Sequence, residues 1–224
     1  MKYPLSHNAG KGLSEYFYDI LTFHVPPGPD VRILDPTCGK RYLWEKFMKR
    51  SLRTGKQLIE DYGEVVFSDI RELNQDVQAD FRDLPEVFKA RDIDPKFDGV
   101  VLDLPYLFGY KGSDDEREDD YGGYDQTFKE LRDKMYFANH MFPSLLKPNG
   151  KLILKCSDQY QTEERAFYPL HHFWGEIFNL PLGNFRWIDF FIYIHHRMSP
   201  TAFQVKDRPC SVIMHTYFMV FEVN

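Results

Sequence analysis

Four aspartates stand at comparable places in this chain: three of them end or directly follow a short apolar segment that is typical of a β-strand, and the fourth follows a short polar-to-apolar stretch. They are Asp35, Asp69, Asp80 and Asp103. A carboxylate offers two acceptor oxygens, which suit an ammonium group, an amine or a pair of hydroxyls. One such acid is weak support for a site because acids also cap turns and helices. Four such aspartates along one chain predict that they lie together at one ligand-binding edge of a sheet.

The elements that must position these acids alternate between strand and helix. Strand patterns cover residues 31–34, 63–69, 98–103 and 151–155. Apolar residues at helical spacing cover 13–23, 42–50, 86–91 and 128–146. The alternation predicts an α/β fold with a doubly wound, mostly parallel sheet, in which ligands bind at the carboxyl ends of the strands. Two late segments, 187–195 and 212–223, predict an antiparallel edge hairpin at the C-terminus.

Length and composition narrow the functional classes. The 224 residues suit a single domain over 1–224, with no separate target-recognition domain. A net charge of −6 argues against a protein that grips nucleic acid through phosphates alone. No apolar run approaches the ~20 residues of a membrane span, and no signal peptide is apparent. A cytoplasmic protein with no membrane association is expected.

The cysteines and histidines do not suggest metal or covalent chemistry. Cys38, Cys156 and Cys210 are widely spaced, which predicts reduced thiols. The histidine pairs 171–172 and 195–196 are adjacent in sequence, so their side chains diverge on a strand or a helix. No metal site is therefore expected. Covalent catalysis would need a nucleophilic cysteine directly after the strand pattern at 98–103, and the residues that follow position 103 there supply none.

The segment Ile33-Leu34-Asp35-Pro36-Thr37-Cys38-Gly39 resembles the first motif of Rossmann-like S-adenosylmethionine-dependent methyltransferases, in the D-P-x-x-G form of enzymes that methylate exocyclic amines. The resemblance implies S-adenosylmethionine as the cofactor, with Asp69 at its ribose and Asp80 at its adenine. The expected cofactor contacts are Lys11, Asp35, Pro36, Thr37, Cys38, Gly39, Asp69, Ile70, Asp80, Phe81 and Asp103. Asp35 as a turn cap and Gly39 as a helix-entry glycine are the structural alternatives.

The segment Asp103-Leu104-Pro105-Tyr106 resembles the fourth motif of that family, [D/N/S]-P-P-[Y/F]. The resemblance implies an exocyclic amine held by two acceptors, the Asp103 carboxylate and the Leu104 carbonyl. Tyr106 would stack on the target base, an interaction worth ~1–3 kcal/mol. Leu104 stands where the family usually has proline, so the backbone there is less rigid than in the family. A buried apolar turn is the structural alternative.

Two later segments bear on the substrate. The acidic stretch 110–126 is expected to be mobile, either as a lid over the substrate or as a solvated loop. Phe108 is expected to contact the substrate. Between the two late strands, Arg197, Lys206 and Arg208 are candidates for phosphate contacts or incidental surface charges.

Three hypotheses remain open from the sequence. The first is a methyltransferase for an exocyclic amine of a nucleic-acid base, DNA adenine or cytosine before RNA, with a partner subunit or a homodimer supplying target recognition. The second is a methyltransferase for a protein amide or a small molecule, which the acidic balance favours. The third is an idle, methyltransferase-like subunit that binds a partner.

Overall fold

The structure is a computed structural model, which describes residues 4–49, 57–105, 108, 126–161, 164–181, 183–195 and 215–224. Its strands are β1 (Arg32–Asp35), β2 (Glu64–Asp69), β3 (Val77–Gln78), β4 (Phe97–Leu102), β5 (Leu146–Cys156), β6 (Gln159–Gln161), β7 (Ala166–Tyr168), β8 (Phe185–Ile194) and β9 (His215–Val223). Its α-helices are α1 (Leu13–His24), α2 (Glu45–Met48), α3 (Leu84–Ala90), α4 (Phe128–Leu145) and α5 (Leu170–Phe178). Short 3₁₀ turns cover 42–44, 58–61 and 81–83.

Within the described residues, seven strands form the central sheet in the order β3-β2-β1-β4-β5-β9-β8. The first five pair in parallel, and β9 is antiparallel to both β5 and β8. This confirms the predicted doubly wound sheet with an antiparallel edge hairpin. The strand order reverses between β1 and β4, which places Asp35 and Asp103 at the switch point where such sheets bind ligands.

The sheet is buried on both faces, which explains the unbroken apolar character of β4. Val100 and Leu102 pack into one core layer with α3, α4 and α5, while Val101 packs into the other layer with α1 and α2. Successive residues of a strand point to opposite faces, so one strand serves both layers. The strand ends are therefore held between two packed layers, which fixes the residues that follow them.

The long helix α4 begins at a reciprocal cap. The Thr127 hydroxyl accepts the backbone N–H of Glu130, and the Glu130 carboxylate accepts the backbone N–H of Thr127 at 2.7 Å. Buried Leu131, Met135 and Phe142 then recur at helical spacing against the sheet. The predicted helix over 128–146 is confirmed to within a residue.

Other elements differ from the sequence prediction. The helix expected over 42–50 is a 3₁₀ turn followed by the four-residue α2. Strand β5 begins at Leu146, five residues before the predicted start at 151, because its first residues pair with β4 at Phe97. Helix α5 and the β6–β7 pair were not predicted.

The N-terminal segment is tied to the far edge of the sheet. The Asn8 amide donates to the Ile194 carbonyl and accepts from the Ile194 N–H, both at 3.1 Å, and His7 bridges Ile192. None of the helices in the described residues has the length and apolar character needed to cross a membrane.

Candidate functional site

A cavity of about 330 Å³ lies at the carboxyl ends of β1 to β4. Both sequence motifs contribute to its walls, together with the two other strand-end acids. Its lining residues are Leu13, Asp35, Pro36, Thr37, Cys38, Gly39, Lys40, Tyr42, Leu43, Asp69, Ile70, Arg71, Asp80, Phe81, Asp103, Leu104, Pro105, Lys134 and Lys155. The four aspartates that the sequence singles out thus share one cavity.

Asp35 is the most deeply buried of these acids, with 2% of its surface exposed. Its carboxylate accepts the Trp44 indole N–H at 2.7 Å and the Thr37 backbone N–H at 3.0 Å. Burial raises the pKa of the Asp35 carboxyl to about 7, with smaller contributions from the Asp103 and Asp69 charges, while the two hydrogen bonds lower it. Asp35 therefore accepts hydrogen bonds within the turn. A cation bound beside its buried carboxyl group would stabilise the ionised form.

Asp69 fastens the first-motif turn to the neighbouring strand. Its carboxylate accepts the Gly39 backbone N–H at 3.0 Å and the Arg71 backbone N–H at 2.9 Å. The Arg71 guanidinium approaches the same carboxylate at 3.1 Å. Gly39 has a φ of +50°, the left-handed conformation that glycine adopts without strain. The turn thus depends on glycine at this position.

Asp80 caps the 3₁₀ turn that follows β3. Its carboxylate accepts the Arg82 backbone N–H at 2.9 Å and pairs with the Arg82 guanidinium at 2.6 Å. Hydrogen bonding to Arg82 is the main cause of the lowered pKa of Asp80. The capping alternative therefore holds, and Asp80 faces the cavity as well.

The two motifs are joined by one hydrogen bond. The backbone N–H of Asp103 donates to the Thr37 hydroxyl at 2.9 Å. The Asp103 carboxylate is paired with Lys155 of β5, whose ammonium lies 2.8 Å from each carboxylate oxygen. Both side chains are largely buried. An amine that binds Asp103 must therefore share this carboxylate with a lysine.

Leu104 is packed into the core in addition to lining the cavity. It is 9% exposed and contacts the same small apolar space as Trp174 and Cys156. The following Pro105 carbonyl accepts the Gln126 amide at 2.8 Å. Leucine at position 104 thus fills a gap between the motif and α5, a packing role for the residue that stands in place of the family's proline.

Six of the expected contact residues lie away from the cavity or outside the described residues. Lys11 pairs with Asp19 and does not line the cavity. Phe108 is 2% exposed and packs edge-on against Tyr168, away from the cavity wall. Tyr106, the three basic residues and nearly all of the acidic stretch lie outside the described residues: Tyr106, Arg197, Lys206, Arg208 and 110–125.

The lysines of the cavity were missed by the sequence analysis. Lys155 follows the buried apolar run 152–154 near the end of β5, and a charge at the carboxyl end of such a run is a signal that could have found it. Lys134 lies on the cavity side of α4 and donates to the Gln126 side chain at 2.9 Å. No feature of the sequence separates Lys134 from the other charged residues of that helix.

A second polar cluster lies at the same edge of the sheet, beyond Lys155. We refer to Asp158, His171, His215 and Tyr217 as the Asp158 network. Asp158 is 3% exposed, and its carboxylate accepts the Tyr217 hydroxyl at 3.0 Å and lies 2.7 Å from His171 Nδ1. The Tyr217 hydroxyl also contacts His215 Nε2. Burial, followed by the Asp158 charge, raises the pKa of Tyr217, so its hydroxyl keeps its proton.

The two described cysteines behave as buried thiols. Burial raises the pKa of Cys38 to about 12 and that of Cys156 well above the ordinary thiol range. Neither thiol is ionised near neutral pH, so neither is an active nucleophile. This agrees with the prediction of unreactive, reduced thiols; Cys210 lies outside the described residues.

No known protein family and no curated protein matches this chain. Solved structures do resemble it. TrmN from Thermus thermophilus superposes with a TM-score of 0.51 at 14% sequence identity, over 96% of this chain and 51% of TrmN. The chain thus spans about half the length of TrmN. A predicted rRNA methylase from Clostridium thermocellum superposes with a TM-score of 0.50 at 12% identity, over 96% of this chain and 100% of that protein. The chain has the Rossmann-like fold of these proteins.

Proposed function

We propose that this chain is an S-adenosylmethionine-dependent methyltransferase that acts on an exocyclic amino group of a nucleic-acid base. One observation carries the proposal: the cofactor-type turn and the amine-type motif line a single cavity and are joined by the hydrogen bond from Asp103 to Thr37. The cavity lies at the switch point of the sheet, where this class of fold binds ligands.

The residues of the cavity fit the proposed cofactor. Buried Asp35 suits the ammonium of its methionine part, and Asp69 suits its ribose hydroxyls. A carboxylate has about four lone-pair sites, so a ribose hydroxyl would take a remaining site of Asp69 or replace the Arg71 guanidinium. Ile70 is 63% exposed, and with Phe81 it offers an apolar surface for the adenine ring. When bound, S-adenosylmethionine supplies an electrophilic methyl group.

The amine-type motif supplies the acceptors for the target. The Asp103 carboxylate and the Leu104 carbonyl would hold the two N–H bonds and direct the nitrogen lone pair, so catalysis is by positioning. Tyr106 would stack on the base, as the motif implies. Lys155 holds the Asp103 carboxylate in place from the adjacent strand.

The macromolecular target is DNA or RNA. The motif suggests adenine or cytosine in DNA, and the name of the rRNA methylase that shares the fold adds support for RNA. Arg197, Lys206 and Arg208 are the proposed phosphate contacts. Because the net charge is −6, these contacts would be local and a partner subunit or a second copy would add to recognition.

A transfer assay tests the proposal. The protein is incubated with S-adenosylmethionine labelled in its methyl group and with pools of DNA, RNA and protein, and the modified nucleoside is identified by mass spectrometry. We expect an N-methylated adenine or cytosine. Label in the protein pool alone would favour an amide target, and no cofactor binding by calorimetry would leave only the idle-subunit hypothesis.

The variant Asp103→Ala separates chemistry from cofactor binding. We expect it to lower transfer by at least ~10²-fold, the size of effect seen when one positioned acceptor or donor is lost, with cofactor affinity changed little. Asp133→Ala is the matched control because that carboxylate is half exposed on α4. Wild-type transfer by Asp103→Ala would remove Asp103 from the mechanism.

A further inference from the structure

We infer that Lys155 determines which chemical class of amine the site accepts. The site takes neutral amino groups that are conjugated to a ring or a carbonyl group, and it rejects aliphatic amines, which arrive as ammonium ions. This inference rests on the proposed function and deepens it, because it names the property of the target that is selected. Lys155 belongs to neither motif and is a specificity-determining residue.

A carboxylate at an amine site does not by itself select a neutral amine. An aliphatic amine has a pKa near that of lysine, about 10.4, and is therefore protonated at neutral pH. The amino group of a base is neutral there, because its lone pair is delocalised into the ring. An isolated Asp103 carboxylate would favour the ammonium ion, since the attraction of opposite charges adds to the hydrogen bond. A positive charge beside Asp103 reverses that preference.

The register between β4 and β5 supplies this positive charge. Leu102 pairs with Leu154 in the parallel register, so the next residues, Asp103 and Lys155, lie side by side near the carboxyl ends of their strands. The Lys155 ammonium lies 2.8 Å from each oxygen of the Asp103 carboxylate. Both oxygens of the carboxylate therefore have a cation beside them.

The surroundings of Lys155 keep its ammonium in this place. Its side chain is 11% exposed, against 22% for that of Asp103. Lys155 borders the cavity on one side and, on the other, the small apolar space beside Leu104 and Trp174. Displacement of the ammonium into that space would separate a buried charge from its partner, which is costly. An incoming cation therefore meets Lys155 and does not replace it.

The other charges of the cavity do not restore a place for a cation at the amine site. Asp35, whose charge interacts with that of Asp103, is the proposed partner of the cofactor's own ammonium. The two remaining acids of the cavity are each paired with an arginine. Lys134 adds a positive charge to the wall. A neutral amino group still finds two acceptors there, the Asp103 carboxylate and the Leu104 carbonyl.

The first test compares two ligands of similar shape that differ in charge, benzylammonium and benzyl alcohol. Their dissociation constants are measured by ligand-detected NMR with the cofactor-loaded protein, so no turnover is needed. The variants are Lys155→Met, the same variant combined with Asp103→Asn, and Lys151→Met. Lys151 is the matched control because it lies on the same strand in a similarly buried pair with Glu222, and it does not line the cavity.

In the wild type we expect benzylammonium to bind no more tightly than benzyl alcohol. Lys155→Met removes the cation beside Asp103, so the affinity for benzylammonium should rise by at least ~10-fold relative to the alcohol. Adding Asp103→Asn should abolish that gain, and Lys151→Met should keep the wild-type ratio. A general loss of packing would weaken both ligands and leave their ratio unchanged. If Lys155→Met is too unstable to measure, Lys155→Gln carries the same expectation.

The second test measures methyl transfer by the wild type to benzylamine and to the nucleic-acid pools. We expect kcat/KM for benzylamine to be at least ~10²-fold below that for the best base, because like charges are brought together only at a large cost. Equal efficiencies would overturn the inference while the proposed function stands. Tighter binding of benzylammonium than of the alcohol by the wild type, or an unchanged ratio in Lys155→Met, would do the same.

Failure of the proposed function has a different signature. Transfer to no nucleic-acid pool would overturn the proposed function, whereas the binding ratios would still test the charge selectivity of the cavity. Transfer to a base together with the expected ratios would support both.

Discussion

At the scale of single residues, the proposed role of Asp35 makes cofactor binding depend on pH. Its pKa of about 7 means that the carboxyl is largely protonated at pH 5.5. An ammonium bound beside it favours the ionised form, so binding below pH 7 must release a proton. We expect affinity for S-adenosylmethionine to fall roughly tenfold between pH 7 and 5.5.

Calorimetry in two buffers of different ionisation enthalpy measures the proton release directly. Asp35→Asn should bind more weakly and with no pH dependence over this interval. Equal proton release by the wild type and Asp35→Asn would assign the titration to another group.

Also at the residue scale, the Lys155–Asp103 pair contributes to stability. Lys155→Met leaves the Asp103 carboxylate poorly solvated and without its partner, so we expect the free energy of unfolding to fall by about 1–3 kcal/mol. Lys129→Met is the control, since its pair with Asp133 is mostly exposed and such pairs contribute ~0–1 kcal/mol. Chemical denaturation compares the two, and equal losses would contradict the assigned strength of the pair.

At the scale of elements, α5 packs against β8 so closely that only glycine fits at one position. A methyl group at Gly175 would lie 2.6 Å from a ring carbon of Trp187, whose indole N–H is held by the Asp189 carbonyl. Alanine ordinarily favours a helix over glycine by about 1 kcal/mol. At position 175 the clash with Trp187 outweighs this preference. We therefore expect Gly175→Ala to lower the free energy of unfolding by about 1–3 kcal/mol.

Thermal unfolding followed by circular dichroism tests this packing. Gly12→Ala is the control, because the nearest atom to its added methyl group is 4.0 Å away. We expect its free energy of unfolding to change by only about a few tenths of a kcal/mol. A rise in the melting temperature of Gly175→Ala would show that Trp187 can move aside.

The same helix shows where element prediction falls short. Leu170, Trp174, Ile177 and Phe178 recur at helical spacing and are buried, so the signal for α5 was present in the sequence. The β6–β7 pair has no comparable signal, because its strands are three residues each and depend on their mutual pairing.

At the scale of the whole molecule, the sequence predicted the sheet and the four strand-end acids, since both follow from local pattern. The contacts of Lys155 and of the Asp158 network could not be predicted in the same way. The pairing of Lys155 with Asp103 depends on the register between β4 and β5, and the Asp158 network depends on the register between β5 and β9, which lie about sixty residues apart in the chain. Long-range pairing of this kind leaves no local pattern to read.

Whole-molecule charge leads to a prediction about nucleic-acid binding. The chain carries 28 Lys and Arg against 34 Asp and Glu, so it has no net excess of cations to displace counterions from DNA. We expect non-specific duplex DNA to bind with a Kd of ~10⁻⁴ M or weaker at physiological salt, and with a shallow dependence on salt concentration. Fluorescence anisotropy over a salt series measures both; a steep slope would reveal a phosphate-binding surface that the net charge conceals.

The turn after β1 is hydrogen-bonded to the neighbouring strands on both sides without any bound ligand. Cys38 and Gly39 donate to Ser68 and Asp69 on the β2 side, and Thr37 accepts from Asp103 on the β4 side. A turn held at both flanks has little conformational freedom left to lose, so the entropic cost of ordering it is already met in folding. Association with the methyl donor should therefore be a single fast step, without a slow isomerisation phase in stopped-flow traces.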